Sequence, residues 1–64
     1  LLYIHPRWVI KCLDTYACDS SHGLIWLEDK GSAIKYTSES DANHAAEWFN
    51  KGLGPSYKCI VERY

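Results

Sequence analysis

From Leu24 to Leu53 the chain sets a short apolar run, a charged turn and an alanine-rich amphipathic stretch in succession, and that order constrains the fold most. Leu24-Ile25-Trp26-Leu27 is continuous and apolar, as a short central strand covered on both faces would be. Glu28-Asp29-Lys30-Gly31-Ser32 supplies a charged turn. Ser38 followed by Asp41 makes a capping-box-like start, in which the Ser hydroxyl accepts from the Asp41 N–H while Glu39 and Asp41 suit the positive helix end. Ala42, Ala45, Ala46, Phe49 and Leu53 then follow helical spacing, Glu47 and Lys51 pair at i,i+4 on another face, and Gly52 is placed to stop the helix. The pattern predicts a helix from near Glu39 that lies close to a sheet through its alanines, with Phe49 and Trp48 as bulky anchors.

The flanks supply further strands. Trp8-Val9-Ile10-Lys11-Cys12-Leu13 is rich in β-formers and follows Pro6, which predicts a strand over 7–13 or slightly longer, through Thr15 and Tyr16. The small, polar segment 17–23 ends in Gly and reads as the longest loop, hence the first loop to examine for function. Ala33-Ile34-Lys35-Tyr36 suits a third short strand and an extended lead into the helix equally well. Gly54-Pro55 turns the chain, and residues 57–63 alternate as a closing strand beneath the helix. The expected class is α+β, with one domain over 1–64. A small antiparallel sheet of three to four strands, β-β-(β)-α-β, carries one helix packed on one face.

Such a fold has more apolar strand surface than one helix covers. Strand one offers Trp8 and Ile10 to one side and Val9 and Leu13 to the other, and each large side chain left in water forfeits roughly 1.5 to 3 kcal/mol. The uncovered face therefore calls for a second subunit, another protein, or the N-terminal Leu1–Ile4 segment folded back over it. At 64 residues the domain lies near the lower limit for an unaided core, so it has room for one site at most.

Charge and cysteines narrow the function classes. Seven Lys plus Arg against eight Asp plus Glu give a formal net charge of −1, too little to draw the chain onto nucleic acid or an anionic membrane, or to mimic DNA. The three Cys are an odd number, which suits reduced thiols in a cytoplasmic protein better than a secreted disulfide framework. Leu1-Leu2-Tyr3-Ile4 is too short for a signal peptide or membrane span and is closed by His5-Pro6. The absence of an initiating Met leaves a missing N-terminal piece open.

No chemical constellation stands out. Cys12, Cys18, His22, His44 and Cys59 include soft ligands, but five residues separate Cys12 from Cys18 and three separate Cys18 from His22, unlike the knuckle pairs of structural zinc sites. Cys12 and Cys59 fall within expected strands as buried thiols, with room to be neighbours across the sheet. A disulfide between them requires Cα atoms within about 7 Å and an oxidising compartment, which the odd third Cys disfavours, and Cys18 on the polar loop is left as the exposed thiol. Asp19, Ser20, Ser21 and His22 hold the side-chain types of a nucleophilic triad, yet adjacent residues on one loop cannot easily aim at one another through a substrate. The four Gly lie singly at turns, so no phosphate cradle forms. No enzyme activity, cofactor or metal is expected.

At Trp26-Leu27, Ala33-Ile34-Lys35-Tyr36 and Ser38-Glu39-Ser40-Asp41-Ala42, followed by the helix and a Tyr-headed last strand, the chain resembles very small phage and mobile-element proteins of hairpin, helix, strand layout. The resemblance covers about residues 24 to 64 and is architectural; the 17–23 segment and the three Cys are no part of it. It implies a non-enzymatic inhibitor or adaptor that binds a host protein in the host cytoplasm, a class that includes anti-CRISPR proteins and inhibitors of host nucleases. The surplus sheet surface independently suggests a protein-binding module and a homodimer. The expected anchors are Trp8, Trp26, Tyr36 and Tyr64, with Arg7 and Lys11 around them. Lys and Arg interleaved with aromatics on strand-like segments keep a single-stranded nucleic-acid-binding sheet as one alternative, and a Cys/His metal-stapled domain is the other.

Overall fold

Two successive hairpins build most of the sheet. A computed structural model of the chain describes residues 6–53 and 58–64, the Leu53 side chain excepted. β1 (Trp8–Cys12) turns through Leu13-Asp14 into β2 (Thr15–Ser20), which turns through Ser21-His22 into β3 (Gly23–Leu27). A 3₁₀ helix (Lys30–Ser32), α1 (Glu39–Leu53) and β4 (Cys59–Arg63) follow. All pairings are antiparallel, in the order β3-β2-β1-β4, so the domain has the expected α+β class with one helix on one face.

The polar segment 17–23 corrects the loop expected there. Residues 17–20 complete β2, because pairing on both sides overrides the small, polar composition. The whole of β3 pairs with β2 on one side, and on the other the Ala17 C=O accepts from the Ile34 N–H at 2.9 Å. Ala17 and Cys18 are fully buried, so Cys18 is not the exposed thiol expected from a polar loop. The Ser20 hydroxyl closes the turn, donating to the Gly23 C=O at 2.7 Å and accepting from the His22 N–H at 3.2 Å. Strand one is likewise shorter than expected: the chain reverses at Leu13, which holds a left-handed φ of 57°.

β1 and β2 pair directly only at Lys11↔Tyr16 and Cys12↔Thr15. Beyond that point they separate, and residues 33–36 enter between them. Trp8 and Tyr36 exchange backbone bonds in both directions, at 2.9 and 2.8 Å, and Ala33 bridges Cys18. Both bridges are antiparallel although β1 and β2 run in opposite directions, so this segment changes direction between its two contacts. It is neither a regular strand nor a free lead. The preceding 3₁₀ helix is capped by Asp29, whose carboxyl is held below its ordinary range by the Ser32 hydroxyl first and the Gly31 N–H second.

Side chains alternate between two packed clusters. On the helix side Ile10, Cys12, Ala17 and Cys59 meet Ala46, with Phe49, Trp26, Tyr36 and Val61 partly buried around them. On the other side Val9, Cys18 and Ala33 cluster with Tyr16. The second face is thus covered at one end by the 30–36 connection, reinforced by Lys30 Nζ bonding Glu62 Oε1 at 3.1 Å. The expected alternative cover, residues 1–4, lies outside the described residues, as do the Gly54-Pro55 turn and Tyr57.

The helix starts where its sequence places it, with Ser38 Oγ accepting from the Asp41 N–H at 3.4 Å and Ala42 and Ala46 buried. It runs through Gly52 to Leu53, so Gly52 is a helical residue and not the expected left-handed stop. The helix packs mainly on β4 and β1 and meets β3 through Phe49 against Trp26. The 24–27 run is therefore no central strand covered on both faces. β3 is an edge strand, and Leu24, Ile25 and Leu27 are exposed.

Candidate functional site

Register aligns one side chain from each strand on the face opposite the helix. Tyr16 is the partner of Leu27, Lys11 of Tyr16, and Ile60 of Lys11, so Leu27, Tyr16, Lys11 and Ile60 form a row across the whole sheet. Their chain neighbours Ala17, Trp26, Cys12 and Cys59 all point into the helix-side core, which fixes the row on the open face. Leu27 is 41% and Ile60 49% exposed, and Ile25, two residues before Leu27, extends the patch at 37%. Lys11 supplies the row's one cation and leans over the Tyr16 ring, 5.9 Å from its centroid.

The residues expected as anchors divide between three places. Arg7, Trp8, Tyr36 and Tyr64 come together at the end of the sheet where residues 33–36 enter: Trp8 bridges Tyr36, and the Tyr64 N–H donates to the Arg7 C=O at 2.9 Å. There Arg63 lies 5.6 Å from the Trp8 ring centroid and Lys35 4.6 Å from that of Tyr64. Trp26 instead packs edge-on against Phe49 at 5.6 Å, half-buried on the helix side. Lys11 lies in the open-face row.

On the helix side, Asp41, His44, Ala45, Trp48 and Phe49 line a shallow hollow of about 280 Å³, and Trp48 is 70% exposed at its rim. Of the polar turn residues, Ser20 is committed to the β2–β3 turn. Among the described residues no three His, Cys, Asp or Glu side chains converge as metal ligands would. Cys12 and Cys59 are direct cross-strand partners and, like Cys18, are buried free thiols. Burial, followed by the hydrogen bond with Cys12, pushes the Cys59 thiol up to about 11, so it is a poor nucleophile at neutral pH.

Leu27, Ile60, Ile25 and Tyr16 are absent from the expected anchors. Alternation carried the signal for Ile60: Cys59 and Val61 face the core, so the residue between them faces out. For Leu27 and Ile25 the signal was masked by the unbroken apolar run, which suggested burial on both faces. Compared with known protein families, curated proteins and solved structures, the chain gives no match.

Proposed function

We propose that this chain is a non-enzymatic protein-binding module, an inhibitor or adaptor that docks through the open face of its sheet. The observation that carries the reading is the Leu27–Tyr16–Lys11–Ile60 row, aligned by register and extended by Ile25. Exposed apolar side chains beside a half-buried aromatic have the composition of an interface, and Lys11 within the row is a charge that a partner must match. The partner that fits it presents an apolar surface with a carboxylate opposite Lys11.

A second reading, single-stranded nucleic acid bound at the Arg7–Trp8–Tyr64 end, is favoured by the cations and aromatics gathered there. Against it, Arg63 lies over Trp8 and Lys35 over Tyr64, on ring faces that bases would need for stacking. Capture of partners from a lysate of the source cells by the tagged chain, with nuclease treatment, separates the two. A stoichiometric protein that survives nuclease and is lost with Ile60→Asp is expected; recovery of nucleic acid alone would overturn the proposal.

A further inference from the structure

The two edges of the sheet are finished differently. At β4, Asn50 Oδ1 accepts from the Cys59 N–H at 2.6 Å, Asn50 Nδ2 donates to the Cys59 C=O at 3.2 Å, and Lys30 Nζ donates to the Arg63 C=O at 3.2 Å. That strand also carries Glu62 and Arg63, charges that discourage further pairing. β3, Gly23-Leu24-Ile25-Trp26-Leu27, has neither charge nor proline, and among the described residues no strand lies beyond it.

Strand parity settles which backbone groups this free edge presents. The Ala17 C=O turns toward Ile34, on the side of β2 away from β3. Hydrogen-bonded and non-hydrogen-bonded pairs alternate in an antiparallel ladder, so Ala17↔Trp26 and Asp19↔Leu24 are non-hydrogen-bonded pairs. The N–H and C=O of Leu24 and Trp26 therefore point outward, while those of Ile25 and Leu27 are used by β2.

We infer that β3 is a homodimerisation edge, with two copies pairing antiparallel over residues 23–27 about a two-fold axis at Ile25. This register sets Leu24 opposite the second copy's Trp26 and Trp26 opposite its Leu24, so the outward groups meet and each pair exchanges both of its bonds. Ile25 meets Ile25 in the close non-hydrogen-bonded pair on the axis, and Leu27 lies opposite Gly23, around whose Cβ direction the space is open. Glu28 falls opposite the second copy's His22, so no like charges meet. The occupant is a second copy because the free edge is self-complementary in backbone groups, apolar side chains and charge. The two open-face rows then run on from one sheet into the next. A single short strand pair is a small contact beside a standard interface of about 1,200 to 2,000 Å², so the dimer is expected to be weak and concentration-dependent.

Sedimentation equilibrium from about 10 μM to 1 mM, with amide exchange by NMR at the same concentrations, tests this. Protection of the Leu24 and Trp26 amides is expected to rise roughly tenfold with concentration, while Ile25 and Leu27 are protected throughout. Ile25→Lys and Ile25→Glu should each be monomeric alone and dimerise when mixed, because position 25 meets itself. Leu24→Pro, which removes an outward N–H only, should abolish the dimer and leave partner capture intact; Ile60→Asp, remote from this edge, should do the reverse. A wild-type chain that stays monomeric throughout, or a mixture of the Ile25→Lys and Ile25→Glu variants that associates no more tightly than either alone, overturns the inference. Should the position-25 variants fail to fold, the wild-type exchange pattern decides by itself.

Discussion

Asn50 serves β4 as a neighbouring strand would, with its side-chain amide making both hydrogen bonds to the backbone of Cys59, at 2.6 and 3.2 Å. The last turns of the helix are thereby tied to the start of the closing strand, across the 54–57 connection. Asn50→Ala removes both bonds and leaves the Cys59 groups partly buried, for a cost of about 1 to 3 kcal/mol. In a domain this small each kcal/mol shifts the melting temperature by roughly 4 to 8 °C, so calorimetry or thermal circular dichroism will read it.

Cys59 makes stability depend on pH in the alkaline range. Its folded thiol is raised from an ordinary value of 9.0 to about 11, so the folded state holds the proton more tightly than the unfolded chain. The stabilisation is fully present below pH 9 and is lost as pH rises toward about 11. Burial raises the Tyr36 phenol in the same direction. Urea midpoints at pH 8 and at about pH 10.5 should therefore fall in that order, and Cys59→Ala should flatten the dependence.

Leu13 is the least suited residue in its turn. It is exposed and holds φ at 57°, a left-handed conformation that costs an L-residue with a Cβ about 1 to 2 kcal/mol. Leu13→Asn should stabilise the domain by up to about 1 kcal/mol, seen as a higher denaturant midpoint with an unchanged slope.

The three tryptophans should separate by role. Trp26, half-buried against Phe49, is structural, and its replacement by Ala should cost about 2 to 4 kcal/mol. Trp48→Ala, at an exposed helix position, should stay within about 0.5 kcal/mol of wild type. Trp8→Ala should lower stability modestly, through loss of its contact with Arg63. Denaturant titrations of the three variants check the order.

Elements that declare themselves by local chemistry were legible in the sequence. The Ser38 cap, the buried Ala42 and Ala46 and the strand-borne, buried Cys12 and Cys59 all fall where spacing and composition place them. What was hidden depends on tertiary pairing. Ala17-Cys18-Asp19-Ser20 has loop composition and becomes a strand because β3 and Ile34 bind its two sides. Position in the sheet was equally hidden: 24–27 reads as a doubly covered strand, yet the helix sits over β1 and β4 and leaves it at an edge. The open-face row follows from register across four strands, which no local window of sequence contains. Among the expected anchors, Trp8, Tyr36, Tyr64 and Arg7 do meet, through backbone bonds that side-chain character alone could not reveal.

Docking through the open face is tested by the affinity of the captured partner for Ile60→Asp and Leu27→Asp on that face, Trp48→Asp on the helix, and Arg63→Glu at the basic end. At least a tenfold loss, about 1.4 kcal/mol or more, is expected for the first two, with the others within about twofold and little salt dependence. A loss confined to Arg63→Glu, with affinity falling steeply as salt rises, would contradict it.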